Sequence, residues 1–417
     1  MKIEEAAKIL VLDPIHGAEI IAEELKALGK ETDIFNPYRR LKKFEQNAPR
    51  KRLSKYDLVI SPVHLNPDFE IVKQISENNI DSISHHEAVK EIARIKNLFE
   101  GIKVVEVTGT IGKTTVCSLI YQMLRYKTVL LHTSSSTRFR SVADDDEIIF
   151  PRISITPANV LKVIEIAAEK NLKPDIAVFE VSLGLTGIGD TGVITSLKEG
   201  NRIAGGMRDE SAVIEASITN CAEKSIIVHP DNSFPGAKGN LWFDEIKLFD
   251  ESEYEPEYYK NSVKIAFSAL LSLEIPPEEI ATNISAIDGR MKLQKVKGRF
   301  LIDNSNSGTK LTFLAEITKM AKRVLASASA SVPEKKILIV GEESEYICEG
   351  IDLDELKRVV KEEVDEFFEI FIVGDKFKDK IEGKNVLFFA TLDTALERAI
   401  KDSEEGSVII SNVKTWR

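Results

Sequence analysis

The chain has 417 residues and a formal net charge of −11, and 43% of its residues are hydrophobic. This composition is typical of a globular protein with about three domains. The net negative charge and the lack of a dense basic run argue against nucleic acid or a membrane as partner. The three distant cysteines form neither a disulfide framework nor a zinc pattern. The N-terminus is unlike a signal peptide. We therefore expect a cytoplasmic protein that acts on a small molecule; its oligomeric state stays open.

Residues 1–95 alternate short apolar runs with amphipathic stretches, which predicts a small α/β domain with a parallel sheet. The expected strands are Lys8–Leu12, Thr32–Phe35, Tyr56–Ser61 and Ser82–Ser84, and the expected helices are Ala18–Leu28 and Phe69–Asn78. His16 falls in the first strand–helix turn, where it can contact an acidic substrate or hydrogen-bond its own backbone. We expect the adjacent pair His85 and His86 at a solvated helix start.

Residues 96–288 predict a larger central α/β domain. The expected strands are Lys103–Val107, Thr128–His132, Asp175–Val181, Gly192–Ser196 and Ser225–His229. The expected helices are Val116–Leu124, Pro157–Asn171, Tyr259–Leu273 and Pro277–Ile287. The polar stretch Thr133–Asp146 is typical of a loop.

Residues 289–417 predict a second doubly wound α/β domain, similar to a Rossmann fold. Its expected strands are Phe300–Ile302, Lys336–Val340, Phe368–Val373, Asn385–Phe389 and Ser407–Ser411, with helices between them. The turn after the first of these strands is polar and contains Asp303 and Asn306.

A phosphate-binding loop is predicted at residues 108–115, with the sequence TGTIGKTT. This segment follows a strand and opens a helical run, which is the context such a loop requires. Gly109 and Gly112 lack the Cβ atoms that would keep a phosphate from the backbone. The N–H groups of Thr110 and of the first helical turn, including Thr115, can point at the anion, and the helix dipole favours it.

Two side chains of this loop predict the use of magnesium and a nucleotide. Lys113 can reach the outer phosphates, and the Thr114 hydroxyl can bind magnesium. The usual pattern has a glycine where Val107 stands, so the loop is a variant, and the alternative is an ordinary strand–helix turn. Glu180 ends an apolar strand of the same sheet, where a nucleotide-bound magnesium is usually held. Thr195, after a third strand, is expected to form another wall of this site.

Four motifs in this order resemble the Mur ligase family. They are the loop TGTIGKTT, the segment Phe179–Ser182, the pair Gly289–Arg290 and the segment Ile302–Asn304. The resemblance implies three domains: a substrate domain, an ATPase domain and a Rossmann-like domain. It also implies that ATP converts a carboxylate into an acyl phosphate, with release of ADP, and that a nucleophile then attacks. Lys113 and Glu180 would be catalytic, and Arg290 and Asp303 would contact ATP from the third domain.

The chain departs from that family at two places. Mur ligases usually carry an Asn after the third strand and a nearby Asp-His pair, and here Ser196 stands in place of the Asn. They also carry a modified Lys that helps to hold a second magnesium, and our alignment places Ser217 there. We therefore expect one tightly held magnesium ion.

Softer motifs, among them DPIHG at residues 13–17, EVSLGLTG at residues 180–187 and VKTWR at residues 413–417, resemble the branch of the family that acts on a nickel tetrapyrrole. Members of that branch activate a propionate side chain and close a carbocyclic ring. Candidate contacts to such a polycarboxylate are Arg138, Arg140, Arg202 and Arg208, expected in loops after strands, together with His16 and Asn306. Lys414 and Arg417 are expected in a charged tail. Two alternatives stay open: an amide ligase that adds an amino acid to a cell-wall peptide precursor, and an ATP-binding paralogue that has lost catalysis.

Overall fold

The computed structural model describes residues 2–38, 53–142, 146–150, 152–198, 200–222, 225–229, 257–281, 284–327, 335–343, 350–363 and 365–415. The described residues form two compact units. The first lies within residues 1–249 and 261–284, and the second lies within residues 250–260 and 285–417. Within the described ranges, no helix combines the length and the apolar content needed to cross a membrane.

The first unit begins with a four-stranded parallel sheet in the order β2-β1-β3-β4. Its strands are β1 (Lys8–Leu12), β2 (Glu31–Phe35), β3 (Leu58–Ser61) and β4 (Ser82–Ser84). The helices are α1 (Ala18–Ala27), α2 (Glu70–Glu77) and α3 (His85–Lys96). The predicted strands and helices of residues 1–95 are confirmed to within one or two residues.

The central sheet of the first unit has seven strands in the order β13-β10-β5-β9-β6-β7-β8. They are β5 (Lys103–Thr108), β6 (Val129–His132), β7 (Thr137–Arg140), β8 (Glu147–Phe150), β9 (Ile176–Glu180), β10 (Thr191–Ile194) and β13 (Ile226–Val228). Strands β7 and β8 are antiparallel additions, and the others are parallel. A separate hairpin consists of β11 (Arg202–Ile203) and β12 (Arg208–Asp209).

The helices of the central part are α4 (Lys113–Met123), α5 (Ala158–Glu169), α6 (Glu210–Ala216) and α7 (Glu257–Ser272). Two expectations for this part were wrong. The stretch Thr133–Asp146 contains β7, whose backbone pairs with β6 and whose side chains alternate between buried and half-buried. Of the predicted helix Pro277–Ile287, the described residues form only the short 3-10 turn Pro277–Glu279.

One hydrophobic core joins the two sheets of the first unit. Helices α1, α3 and α5 pack against one another, and buried side chains from both sheets contribute to the same cluster. Ile21, Ile92 and Leu161 are examples, and each is fully buried. Residues 1–95 therefore lie in one compact unit with the central sheet. The boundaries 1–95, 96–288 and 289–417 stay a prediction.

The second unit has a six-stranded sheet in the order β14-β15-β19-β16-β17-β18. Its strands are β14 (Lys292–Val296), β15 (Arg299–Asp303), β16 (Lys336–Glu342), β17 (Glu369–Val373), β18 (Val386–Phe389) and β19 (Val408–Lys414). Helices α8 (Leu314–Ser327), α9 (Leu353–Glu363) and α10 (Leu392–Asp402) alternate with them. Among the described strands of this sheet, only β14 pairs in the antiparallel direction, so the predicted doubly wound topology is confirmed.

Candidate functional site

The predicted phosphate-binding loop connects β5 to α4 in the middle of the central sheet. Gly109 and Gly112 have φ values of 139° and 85°, which L side chains rarely adopt. A Cβ atom on Gly109 would lie 2.2 Å from Thr195 Oγ1 and 2.9 Å from the Ser196 amide nitrogen. The loop therefore fits against the end of β10 only with glycine at this position.

Lys113 is the first residue of α4. Its ammonium group donates a hydrogen bond to the Gly109 carbonyl oxygen at 2.7 Å, so the side chain folds over the loop. The first N–H groups of a helix have no partner within the helix, and they carry the positive end of its dipole. Lys113 and the start of α4 thus form the type of site that binds phosphate groups.

Thr114 and Glu180 meet behind the loop. Thr114 Oγ1 donates a hydrogen bond to Glu180 Oε1 at 3.0 Å, and the Ser134 amide donates to Glu180 Oε2 at 3.0 Å. Glu180 is 2% exposed and ends β9, the strand beside β5. Neighbouring ligand oxygens in an octahedral magnesium site are about 2.9 Å apart. A hydroxyl and a buried carboxylate at this separation therefore fit magnesium.

The end of β10 holds the loop from its other side. Thr195 Oγ1 donates to the Ile111 carbonyl oxygen and lies 3.2 Å from that of Thr108. The Thr110 amide donates to the Ser196 carbonyl oxygen at 2.9 Å. Thr195 and Ser196 thus position the loop backbone.

Sequence reasoning missed Ser134, whose amide binds Glu180 and whose hydroxyl lies 3.2 Å from Thr114 Oγ1. The signal was available, because Ser134 follows β6, and β6 lies next to β9 in the sheet. Polar residues after adjacent parallel strands meet at one sheet edge. Ser134 was not singled out, because the whole stretch Thr133–Asp146 was expected to be a loop.

Glu106 was also missed, and it is fully buried in β5. The amides of Thr186, Gly187 and Gly189 donate to its carboxylate at 3.0, 2.9 and 3.1 Å, and the Thr186 hydroxyl donates as well. Burial raises the pKa of Glu106 in spite of these donors. The carboxylate fixes the glycine-rich segment between β9 and β10, so its role is structural.

Ser217, the residue aligned with the modified lysine of Mur ligases, is buried below the same segment. Its hydroxyl donates to the Ile214 carbonyl oxygen at 2.6 Å and accepts from the Leu185 amide at 2.8 Å. Both contacts are internal to the protein. The expectation of one tightly held magnesium stays a prediction.

Arg138 and Arg140 lie in β7, so the expected loop positions were wrong. Arg138 forms an ion pair with Asp146 at 2.5 Å. Arg140 stacks on the Tyr121 ring, with its guanidinium carbon 4.2 Å from the ring centroid, and donates to the Tyr121 carbonyl oxygen at 2.7 Å. Burial lowers the pKa of Arg140. Both side chains are half-buried, and a role in substrate binding stays a prediction for Arg138.

Arg202 and Arg208 lie in the β11–β12 hairpin, and both are exposed. Arg202 donates to the Gly206 carbonyl oxygen at 2.8 Å, within the hairpin. Arg208 donates to the Val63 carbonyl oxygen at 2.8 Å, in the loop after β3. The hairpin therefore reaches the N-terminal sheet beside His64, although it belongs to the central part of the chain.

His16 lies beside Asp13 and His64 at the carboxyl end of β1. His16 Nδ1 and His64 Nε2 are 2.6 and 3.2 Å from Asp13 Oδ2, and the Tyr38 hydroxyl donates to the same oxygen at 2.9 Å. Burial would raise the pKa of Asp13, but hydrogen bonds from these three side chains hold it well below its usual range. His64 and Tyr38 were missed, since nothing in the local sequence links them to His16.

His85 and His86 do begin a helix, but the expectation that they are solvated was wrong. His85 Nε2 donates to the Leu12 carbonyl oxygen at 3.0 Å, and His86 Nε2 donates to that of Ser182 at 2.9 Å. Burial lowers the pKa of His85 to about 3 and that of His86 to about 4. Both are therefore neutral at pH 7 and join α3 to the two sheets.

In the second unit, Arg290 precedes β14 and Asp303 ends β15. Arg290 is 7% exposed, and its Nη1 atom has no hydrogen-bond partner among the residues that the structure describes. Asp303 accepts a hydrogen bond from the Ser305 amide at 3.0 Å. Leaving a buried guanidinium N–H unpaired is costly. The guanidinium therefore fits an anionic ligand such as a phosphate group.

Asn306 is buried in the turn after β15. Its side-chain amide donates to the Gly289 carbonyl oxygen at 2.7 Å, and its side-chain oxygen accepts from the Gly308 amide at 2.9 Å. Contact with a substrate stays a prediction for Asn306. Lys414 is buried in β19, so its expected place in a charged tail was wrong. Arg417 lies outside the described residues.

Two known sequence families match parts of this chain. The Mur ligase middle domain matches residues 107–198, a range that contains the phosphate-binding loop, Glu180 and Thr195. The family described as coenzyme F430 synthetase CfbE, C-terminal domain, matches residues 293–415, which contain Asp303 and Asn306.

Two curated relatives match along most of the chain. The coenzyme F(430) synthetase of Methanosarcina acetivorans is 27% identical, over 98% of this chain and 99% of that protein. The coenzyme F(430) synthetase of Methanocaldococcus jannaschii is 28% identical, over 85% of this chain and 88% of that protein. The MurF ligase of Thermotoga maritima, solved in complex with ADP, shares the fold with a TM-score of 0.52 and 13% identity, covering 85% of this chain and 84% of that one. These matches confirm the resemblance to the Mur ligase family and, within it, to coenzyme F430 synthetases. They also confirm the predicted three-domain α/β architecture, with a P-loop central domain and a Rossmann-like C-terminal domain.

Proposed function

We propose that this protein is an ATP- and magnesium-dependent ligase that activates a substrate carboxylate as an acyl phosphate and releases ADP. The observation that carries the proposal is the pairing of Thr114 with the buried Glu180 behind the phosphate-binding loop. A hydroxyl and a carboxylate placed there match the ligands of a nucleotide-bound magnesium. Lys113 supplies the cation that reaches the outer phosphates.

The chemistry needs this arrangement because a carboxylate is a poor electrophile, and phosphorylation gives it a good leaving group. Phosphoryl transfer is catalysed mainly by positioning and by neutralising charge on the transferred group. Lys113 and the N-terminus of α4 would neutralise that charge, while Thr114 and Glu180 would hold the metal. Magnesium, if held by Thr114 and Glu180, would offset the negative charge of the phosphate groups. Arg290 and Asp303 stay proposed contacts to ATP.

For the substrate, we propose a nickel tetrapyrrole with free carboxylates. The support is the similarity along nearly the whole chain to two proteins named coenzyme F(430) synthetase. A propionate side chain would be activated, and a carbon atom of the macrocycle would then displace phosphate to close a carbocyclic ring. Holding both partners in one site makes this second step unimolecular. His16, Arg138, Arg202, Arg208 and Asn306 are the proposed substrate contacts.

The test is ADP release by the purified protein with a nickel tetrapyrrole that carries free propionates. We expect ADP and phosphate to be released with a cyclised product that is lighter than the substrate by one water molecule, detected by mass spectrometry. The corresponding propionamide should not stimulate ADP release. Stimulation by an amino acid with a peptide precursor instead would favour the amide ligase. ATP binding without stimulated turnover by either substrate would favour the paralogue that has lost catalysis.

A further inference from the structure

The cluster of Asp13, His16 and His64 has no role in the proposed nucleotide site. It is formed by the turn after β1 and the loop after β3, which are adjacent strands of the N-terminal sheet. Asp13 Oδ2, His16 Nδ1 and His64 Nε2 are separated by 2.6, 3.2 and 3.3 Å. It is the one cluster of potential metal ligands found when the described part of the chain is searched for three or more such side chains.

From this geometry we infer that Asp13, His16 and His64 bind a divalent transition-metal ion. An ion about 2.0–2.2 Å from each ligand separates the ligand atoms by about 3.0–3.5 Å. Two of the three observed separations already lie in this range. The third, between Asp13 and His16, needs to open by only a few tenths of an ångström from 2.6 Å.

The type of ligand decides the type of metal. Imidazole nitrogen suits zinc, nickel, cobalt and ferrous iron, whereas magnesium prefers oxygen ligands. The cluster therefore differs in chemistry from Thr114 and Glu180, which offer only oxygen atoms. The two sites should not compete for the same ion.

Asp13 is held in place as a ligand would be. Its φ of 77° is in the left-handed region, and its Oδ1 atom accepts a hydrogen bond from the Ile15 amide at 3.1 Å. The Tyr38 hydroxyl donates to the Oδ2 atom at 2.9 Å. An outer partner of this kind orients a ligand and tunes the metal. The carboxylate is thus fixed from the protein side.

The other side of the cluster is open. The side chain of Asp13 is 0% exposed, whereas those of His16 and His64 are 29% and 24% exposed. An ion with three protein ligands keeps at least one further coordination position. That position faces away from Asp13, and it would take water or a carboxylate of an acidic ligand.

The experiment is a zinc titration of the full chain after removal of bound metal by a chelator. Millimolar magnesium is kept present to occupy the Thr114–Glu180 site. Calorimetry should show one zinc ion per chain with a Kd of about 1 μM or lower. Cobalt should bind in the same stoichiometry and show the visible absorption of a site with nitrogen and oxygen ligands.

Variants locate the ion. His64→Gln and Asp13→Asn should each weaken zinc binding by about 100-fold or more, because loss of a ligand exceeds the 10–100-fold effect of losing an outer partner. Asn tolerates the left-handed backbone of position 13, so the fold is retained. Tyr38→Phe should weaken binding by about 10-fold. The matched control is Asp33→Asn, because Asp33 also accepts a tyrosine hydroxyl, that of Tyr56, and lies in the same sheet.

Asp33→Asn should bind zinc like the parent protein, and circular dichroism should show that all four variants are folded. Binding weaker than millimolar, or no binding, would overturn the proposal. So would one zinc ion retained with unchanged affinity in both His64→Gln and Asp13→Asn, since the ion would then lie elsewhere.

Discussion

Glu180→Gln tests the proposed nucleotide site, because it changes charge while keeping shape. Both oxygens of Glu180 are used in the structure, one by the Thr114 hydroxyl and one by the Ser134 amide, each at 3.0 Å. A glutamine can keep both contacts, since its oxygen can accept from Ser134 while its NH₂ group donates to Thr114. We therefore expect the fold to be unchanged.

The expected loss is in catalysis. Removing one preorganised charged contact typically costs about 3–4 kcal/mol of transition-state stabilisation, which is a rate loss of roughly 10²–10³-fold. Because Glu180 is 2% exposed, bulk water screens little of this effect. The assay is the rate of ADP release under saturating ATP and substrate, measured over a series of magnesium concentrations. The variant should also need more magnesium for half-maximal rate.

Glu106→Gln is the matched control, since Glu106 is a buried carboxylate of the same sheet but binds only the glycine-rich segment. The NH₂ group of the new glutamine would face N–H donors where the carboxylate oxygen accepted them. Each donor left without an acceptor costs about 1–3 kcal/mol of stability. This variant should unfold at a lower urea concentration than the parent protein. Each folded molecule should turn over substrate at the parent rate. If Glu180→Gln kept more than about a tenth of the parent turnover, the metal role of Glu180 would be refuted.

Three further predictions follow from the same structure. Lys113→Ala should lower ADP release by roughly 10²–10³-fold with an unchanged circular dichroism spectrum; near-normal turnover would refute its phosphate role. Gly109→Ala should abolish ATP binding in calorimetry, because the new Cβ atom would collide with the end of β10. Gly101→Ala should bind ATP normally, because Gly101 also has a positive φ but has open space around it. Equal binding of ATP by the two variants would contradict the packing argument. Since burial lowers the pKa of His85 to about 3 and of His86 to about 4, both take up a proton only on unfolding below pH 6.5. The free energy of unfolding should then fall by about 2 kcal/mol for each histidine between pH 7 and pH 5, and a urea midpoint that does not shift would exclude this.

The arrangement of the proposed nucleotide site could be predicted because its signals are local. The loop of residues 108–115 carries its glycines, lysine and threonine in one stretch, directly between a strand and a helix. Glu180 could be added because it ends an apolar strand, and parallel strands bring their carboxyl ends to one edge. Neither step requires knowledge of which distant side chains pack together.

Other site residues depend on long-range contacts and were missed for that reason. His64 lies 48 residues from His16 in the sequence, and only the pairing of β1 with β3 brings the two together. The same limit affected Arg138, whose strand is visible only through its pairing with β6. His85 and His86 were expected in solvent because a polar helix start is usually exposed, but here a second sheet covers it.

His86 ties the proposed nucleotide site to the N-terminal sheet. Its helix, α3, belongs to that sheet, yet its Nε2 atom donates to the Ser182 carbonyl oxygen, two residues after Glu180. A Cβ atom on Gly184 would lie 2.6 Å from Ser217 Cβ and 3.8 Å from His86 Nε2, so this segment is confined between α3 and the turn at Ser217. A side chain added at Gly184 must therefore displace the turn at Ser217, because a close-packed interior has no room for it. The strand that ends at Glu180 and the helices of the N-terminal part thus share one packed core, since Phe179 and Val181 belong to the same buried cluster as Ile92.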